Sequence, residues 1–284
     1  MRIFITGHKG QLGRALWRAL AGETLLGVDL PELDITDAPS ISQAIADFRP
    51  EVVLHPAAYT DTAGCERDPD LAYRVNALGT RNVALACQRV GAVLLYISTN
   101  EVFDGRKSEP YLEWEQPNPL NVYARSKLAG EWYVQMLLER FYIVRIAWLY
   151  SREAPSFVTK ILQAAQEQPE LSVVTDEVAT PTYAPDLAAA IAALIRQPIY
   201  GLYHFTNAGQ CSRYEWALKI LELAGRHVPV RPVATREYPG ATLKPPYSVL
   251  RNFCGAALGI ALRPWEEALE EAMSKSPNHK LLIC

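Results

Sequence analysis

Tyr123 and Lys127 stand four apart in the segment Asn121-Val-Tyr-Ala-Arg-Ser-Lys-Leu-Ala-Gly-Glu131. On a helix that spacing sets both side chains on one face, roughly 5–6 Å apart at Cβ. A lysine ammonium there would favour the phenolate and draw a tyrosine pKa of about 10 towards the range of a working general acid. The same spacing also describes a surface helix with a tyrosine packed on a lysine stem. Two further segments tip the reading towards chemistry. Met1-Arg-Ile-Phe-Ile-Thr6 is a short β-rich apolar run, and Gly7-His-Lys-Gly-Gln-Leu-Gly13 follows at once. Leu12, Leu16 and Leu20 then recur at helical spacing. Strand, glycine turn and helix in that order are the context of a dinucleotide fingerprint, here spaced GxxGxxG. Gly7 permits the tight turn, Gly10 lets the backbone approach a pyrophosphate, and Gly13 lets helix and strand pack closely. The N–H groups that open the helix, at Gln11 and Leu12, then face the phosphates.

The other segment is Val93-Leu-Leu-Tyr-Ile-Ser-Thr99, an apolar strand ending in hydroxyls. In open α/β sheets the ligand crevice lies at the carboxyl ends of the strands. A hydroxyl at Thr99 is therefore placed to hydrogen-bond a substrate carbonyl beside the tyrosine. Taken alone, it would read as a Ser-Thr pair satisfying its own turn.

The elements that must position these groups alternate through the first 150 residues. Thr24–Val28 reads as a second strand ending at Asp29, residues 40–48 as a helix, and Glu51–His55 as a third strand. A long helix is expected over Asp70–Val90 with Leu71, Val75, Leu78 and Asn82 on one stripe, and a buried strand over Tyr142–Ile146. This alternation predicts an α/β fold, a doubly wound parallel sheet with right-handed crossovers. Beyond Trp148 prolines become denser, at 181, 185, 198, 229, 232, 239, 245 and 246, around single helices over Arg213–Ala224 and Trp265–Met273. The expected division is a nucleotide-binding domain over residues 1–150, with 176–205 returning to it. A smaller, irregular substrate lobe takes most of 151–284, and its tail frays from Lys275. Asp29, at the end of the second strand, would bond an adenosine ribose and discourage a 2′-phosphate. Lys9 or Arg14 would favour one, which leaves NADH and NADPH both open.

Composition excludes several classes. The chain has 284 residues, 49% of them apolar, and a net charge of −3, which gives no electrostatic footprint for nucleic acid. Five scattered cysteines (65, 87, 211, 254 and 284) without ligand spacing read as reduced thiols. No apolar run suits a membrane span, and the N-terminus reads as a folded strand, so a cytoplasmic enzyme is expected.

Glycine turn, strand-end Ser-Thr and YxxxK, in this order, resemble the extended short-chain dehydrogenase/reductase family. Within it, Thr6–Gly13, Leu33-Asp-Ile-Thr-Asp37, Val102-Phe-Asp-Gly105, Pro119-Leu-Asn-Val-Tyr123 and Ser126-Lys-Leu-Ala-Gly-Glu131 resemble the dTDP-4-dehydrorhamnose reductases. So do Ala179-Thr-Pro-Thr182, Gly201-Leu-Tyr-His204 and Leu262-Arg-Pro-Trp265. The resemblance implies a Rossmann domain and NAD(P)H-dependent reduction of a nucleotide-linked 4-keto-6-deoxy sugar by a monomer or homodimer. Thr99, Tyr123 and Lys127 would be the catalytic set. Asp34 and Ile35 would meet the adenine, Ala57, Ala58 and Tyr59 the rest of the cofactor, and Asn100 and Trp148 the sugar together with Thr99. Where the family carries Asp-Tyr this chain has Asn100-Glu101, where it carries VDKAE it has Thr62-Ala-Gly-Cys-Glu66, and Lys244 replaces an arginine. Its DQxGxPT segment is here Asp176-Glu-Val-Ala-Thr-Pro-Thr182. Some members bridge a dimer with Mg²⁺ through a carboxylate after the glycine motif. That place is Ala15 here, so no such metal is expected. A second reading is another sugar-nucleotide enzyme of this fold, an epimerase or dehydratase; Glu101 points that way, while Asn100 cannot serve as its acid. A third is a non-catalytic NADP-binding module like the regulatory β subunit of methionine adenosyltransferase, against which the intact catalytic set argues.

Overall fold

Each apolar run read as a strand finds its partner in one parallel sheet. The computed structural model describes residues 1–152, 154–237 and 242–274. The expected frayed tail from Lys275, together with Pro239 and Cys284, therefore lies outside the described residues. β1 (Arg2–Thr6), β2 (Thr24–Val28), β3 (Val52–His55), β4 (Val93–Thr99) and β5 (Phe141–Ile146) alternate with helices α1 (Gln11–Ala19), α2 (Ala38–Phe48), α3 (Thr62–Arg67), α4 (Pro69–Tyr73), α5 (Thr80–Val90) and α6 (Val122–Leu137). Three two-stranded ribbons follow, built from β6 (Leu149–Tyr150), β7 (Leu171–Val174), β8 (Val178–Ala179), β9 (Thr182–Tyr183), β11 (Cys211–Ser212) and β12 (Val230–Val233). They pack among α7 (Phe157–Glu167), α9 (Arg213–Leu223), α10 (Cys254–Ala257) and α11 (Trp265–Ser274). Between them, α8 (Ala184–Leu194) and β10 (Gly201–His204) turn back, and β10 pairs in parallel with β5.

The sheet order is β10-β5-β4-β3-β1-β2. Chain order reverses between β1 and β3, and a doubly wound sheet opens its ligand crevice at the carboxyl ends of the strands where that happens. β3 and the inner part of β4 are buried on both faces, the pattern of a central parallel strand. Ile3 and Ile5 point to one face, where Leu12 and Leu16 of α1 and Leu20 at its C-cap meet Leu187 and Ile191 of α8. Phe4 points to the other, against Ile41 and Ile45 of α2, Val83 and Cys87 of α5 and Val134 of α6. A separate core in the lobe joins Val158, Leu171, Tyr183, Trp216, Ile220 and Leu269.

The helix expected over 70–90 needs one correction. It runs through α4 and α5, but residues Arg74–Gly79 between them form a π turn. The wider turn rotates the inward face, so Ala72, Asn76, Ala77, Thr80 and Val83 are buried while Leu78 is 39% exposed. Of the expected stripe, Asn82 is buried and Val75 packs at the core edge, while Leu78 is turned out to solvent, because straight 3.6-residue periodicity misses the inserted residue. Cys65, Cys87, Cys211 and Cys254 are all free thiols. No helix among the described residues is long and apolar enough to cross a membrane.

Candidate active site

Helix α6 starts where its cap dictates. Asn121 takes the N-cap position and its side chain accepts from the Ala124 N–H at 2.8 Å. Glu66 of α3 accepts from the Val122 N–H at 2.7 Å, putting a carboxylate at the positive end of the helix. This start leaves Tyr123 and Lys127 on one inward face beside the end of β4. Behind them, Asn76 on the π turn donates to Ser126 Oγ (2.9 Å), which donates to the Tyr123 carbonyl (2.7 Å). The same amide donates to the Tyr59 carbonyl (3.0 Å) and accepts from the Tyr59 N–H (2.8 Å). The π turn thus ties the loop after β3 to the tyrosine helix.

The electrostatics differ from the sequence expectation. Tyr123 lies with its phenol raised well above the ordinary tyrosine range. Burial is the main cause and the Glu101 carboxylate adds to it; a hydrogen bond with Thr99 pulls the other way. Lys127 does not lower it. Its side chain is 2% exposed, and its Nζ sits 4.2 Å above the centre of the Tyr96 ring. Loss of hydration brings its own pKa down to about 7, with Glu131 one turn along pulling it back up. Desolvation of the ammonium weakens its pull on the phenol. In this state Tyr123 is a protonated donor. Glu131 is held in turn by Arg145, through a pair of bonds of 2.9 and 2.7 Å, and by the Ser98 hydroxyl.

The glycine loop is built as its spacing predicts. Gly7 has φ +60°, and a Cβ there would lie 2.9 Å from Ala57 Cα across the crevice. A Cβ on Gly13 would lie 2.2 Å from the Gly7 carbonyl oxygen, so only glycine lets α1 lie this close. Gly10 is the N-cap of α1 and offers no side-chain cap, which leaves the first N–H groups of the helix without acceptors. Gly7, Gly10, Gln11, Leu12 and Gly13 line a cavity of about 450 Å³ together with Ala58, Thr99, Asn100, Tyr123, Lys127 and Trp148.

Asp29, Asp34, Ile35, Ala57 and Tyr59 are not among the residues that line that cavity. Asp29 accepts from the N–H groups of Lys9 and Leu30, both at 2.9 Å, and so ties the glycine loop to β2. Lys9 Nζ reaches Glu32 at 2.7 Å, and Arg14 Nε donates to the Lys9 carbonyl at 2.7 Å. Asp34 is exposed and accepts from the Thr36 N–H at 2.8 Å, a turn bond. Ile35 is 7% exposed and belongs to the core beneath. Ala57 and Tyr59 flank the crevice through their backbone. Asn100, expected to meet the sugar, has its amide nitrogen committed to Ser248 Oγ at 2.6 Å. It fastens the end of β4 to the lobe, leaving its oxygen beside Thr99.

Past Tyr123 the cavity opens into a second of about 880 Å³ in the lobe. Thr60, Thr62, Trp148, Leu149, Arg213 and Lys244 line both. Trp148 has φ +41°, a strained conformation for a bulky residue that the surrounding packing must hold. Its ring stacks parallel to Trp216 at 5.6 Å and lies 3.7 Å from the Arg213 guanidinium. Arg213 is set in place by the capping box of Ser212 and Glu215 at the start of α9. Arg213 and Thr60 escaped the sequence reading. A lone arginine at a helix start carries no periodic signal, and only the lobe's packing turns it to the cleft. Among the described residues no group of three His, Cys, Asp or Glu is arranged to hold a metal ion.

The profile of the RmlD substrate binding domain family matches residues 1–277. The chain belongs to this family. Its relatives include the spore coat polysaccharide biosynthesis protein SpsK of Bacillus subtilis, 36% identical over 276 residues that make up 96% of this chain and 97% of SpsK. A dTDP-4-dehydrorhamnose reductase of Streptomyces griseus is 38% identical over 281 residues, 95% of this chain and 92% of that protein. Among solved structures, dTDP-4-dehydrorhamnose reductase of Bacillus anthracis in complex with NADP superimposes with a TM-score of 0.94 at 41% identity, over 97% of this chain and 99% of that one. The RmlD family assignment and this superposition agree with the doubly wound sheet described above.

Proposed function

We propose that the chain is an NADPH-dependent reductase of a nucleotide-linked 4-keto-6-deoxy sugar, with dTDP-4-dehydrorhamnose as the substrate and dTDP-rhamnose as the product. The observation that carries this reading is the meeting of Thr99, Tyr123 and Lys127 in a cavity that runs from the glycine loop to an aromatic, basic cleft. The sheet of residues 1–150, completed by 176–205, would hold the cofactor, and the rest of the chain would hold the nucleotide sugar. The experiment is to mix the protein with NADPH and dTDP-4-keto-6-deoxy sugars and follow nicotinamide absorbance. Absence of oxidation with every such sugar defeats the proposal.

The residues fit the cofactor. Uncapped N–H groups at the start of α1 suit a pyrophosphate, and a Cβ added to Gly10 would meet only the Gly7 carbonyl at 3.2 Å, leaving its outer face open. The 2′-phosphate is accommodated as well. The Lys9–Glu32 pair has side chains 44% and 63% exposed, and such pairs contribute at most about 1 kcal/mol. A charge-assisted bond to phosphate contributes about 1.5–3 kcal/mol, so Lys9 is free to change partner. When bound, the nicotinamide supplies a hydride. Tyr123 gives its proton to the carbonyl oxygen, Thr99 holds that oxygen by a hydrogen bond, and Lys127 holds the nicotinamide ribose. Arg213 and Lys244 bring positive charge for the sugar nucleotide's diphosphate, and the exposed part of Trp148 covers the sugar.

Two results are expected here. Gly10→Val should fold, since only one atom crowds the new Cβ, yet bind NADPH at least about tenfold more weakly by calorimetry, because the side chain fills the phosphate approach. Unchanged affinity in the folded variant would remove the fingerprint assignment. Trp148→Ala should raise KM for the nucleotide sugar about tenfold, a loss of about 1.4 kcal/mol of binding, with a smaller change in kcat. A large drop in thermal stability with KM intact would instead make this ring part of the lobe core.

A further inference from the structure

We propose that the same pocket catalyses a second reaction, exchange of the proton on a carbon adjacent to the substrate's keto group, with Glu101 as the base. The inference rests on the reductase reading in one respect: it takes the same 4-keto sugar into the same place.

Glu101 follows Thr99 by two residues, on the short 3₁₀ turn Asn100–Val102 that ends β4. Its carboxylate is fixed by a bond of 2.8 Å from Asn121 Nδ2 to Oε2. Asn121 is itself 2% exposed, caps α6 through its oxygen and also donates to the Leu243 carbonyl at 3.0 Å. The anchor is therefore rigid and belongs to the first turn of the helix that carries Tyr123. The second oxygen, Oε1, accepts no hydrogen bond from any described residue, and the half-buried side chain lines the cavity with Thr99, Tyr123 and Lys127. None of the steps assigned to the reductase uses this carboxylate.

A keto group held by Tyr123 and Thr99 has weakly acidic C–H bonds on both neighbouring carbons. The donors that would stabilise charge on the oxygen after hydride addition also stabilise an enolate, because part of its charge develops on the same atom. A carboxylate base paired with a tyrosine donor on the carbonyl oxygen is an arrangement enzymes use for this step. The proton passes to Glu101 Oε1, and the C–H electron pair becomes the C=C bond of the enolate. The carbonyl π pair moves to the oxygen, which keeps a hydrogen bond from Tyr123. Return of the enolate pair to carbon takes a proton back from Glu101, which has meanwhile exchanged with water in the open cleft. Nothing is oxidised or reduced, and no co-reactant is consumed. A phenol raised by burial suits the task, since it stays protonated while it donates.

The test is to incubate the protein in deuterium oxide with a dTDP-4-keto-6-deoxy sugar and no NADPH, following the sugar protons by NMR. Deuterium should enter a position next to the carbonyl at least about tenfold faster than in buffer, and a general base typically contributes about 10²–10⁴-fold. Glu101→Gln and Tyr123→Phe, each confirmed as folded by thermal unfolding, should both fall back towards the buffer rate. Exchange at the wild-type rate in either variant overturns the assignment. Exchange no faster than buffer, from protein that oxidises NADPH with the same sugar, overturns it while leaving the reductase reading in place. With neither exchange nor oxidation, both fall together.

Discussion

Tyr123→Phe should bind NADPH and the nucleotide sugar with nearly unchanged affinity and turn over at least about a hundredfold more slowly, a barrier higher by about 2.7 kcal/mol. The variant removes one oxygen and leaves the ring. Its effect should therefore be confined to the proton. The alkoxide formed when hydride adds is more basic than an ordinary phenolate. That basicity favours transfer from Tyr123, against the burial and the Glu101 charge that hold the phenol above its ordinary range. Stopped-flow single turnovers with titrated ligands separate the two effects. Wild-type kcat in Tyr123→Phe, on any keto sugar the protein reduces, would mean that the proton comes from elsewhere and that Tyr123 only packs.

Lys127→Met should lose activity and weaken NADPH binding while making the folded chain more stable at neutral pH. The lysine is buried against Tyr96, and its pKa falls from 10.5 to about 7. Below about pH 7 both the folded and the unfolded lysine carry the proton, and the folded state bears the full cost of burying an ammonium. Between about 7 and 10.5 the unfolded state binds more protons, so wild-type stability rises with pH through that window. Above it both forms are neutral and this cost is gone. A tenfold change in proton affinity is about 1.4 kcal/mol, so the advantage of the methionine should be on the order of a few kcal/mol at pH 6 and shrink towards pH 10. Denaturant midpoints of both proteins across that range measure it; titrating groups not coupled to Lys127 cancel in the difference. A gap that stays constant with pH would show that burial of charge is not its origin. The loss of function beside a gain of stability marks Lys127 as a residue whose charge the fold tolerates for the sake of the site.

The two effects belong to different levels of the molecule, and the sequence reaches only one of them. Local patterns were enough for the parts. Alternation of apolar runs located β1 to β5, Leu12, Leu16 and Leu20 identified the buried stripe of α1, and strand-turn-helix identified the glycine loop. Spacing alone put Tyr123 and Lys127 on one helical face, because a helix has a fixed period and Asn121 caps it at a defined residue. What depends on neighbours distant in the chain was not legible. The reversal of strand order between β1 and β3, which opens the crevice, is set by pairing across the sheet. The π turn of Arg74–Gly79 turns Leu78 out of a face that regular periodicity assigns to the core, and it puts Asn76 behind the helix of Tyr123. Arg213 and Lys244 reach the cleft from segments with no motif between them. The charge states were the least legible of all. A Tyr-Lys pair in water would lower the phenol, whereas here burial raises the tyrosine and lowers the lysine, since hydration is lost only when the whole fold closes around them. The sequence by itself determined which groups are candidates and on which elements they ride. Only the tertiary structure decided which of them meet and which carry charge, because distance and desolvation are properties of packing and not of order along the chain.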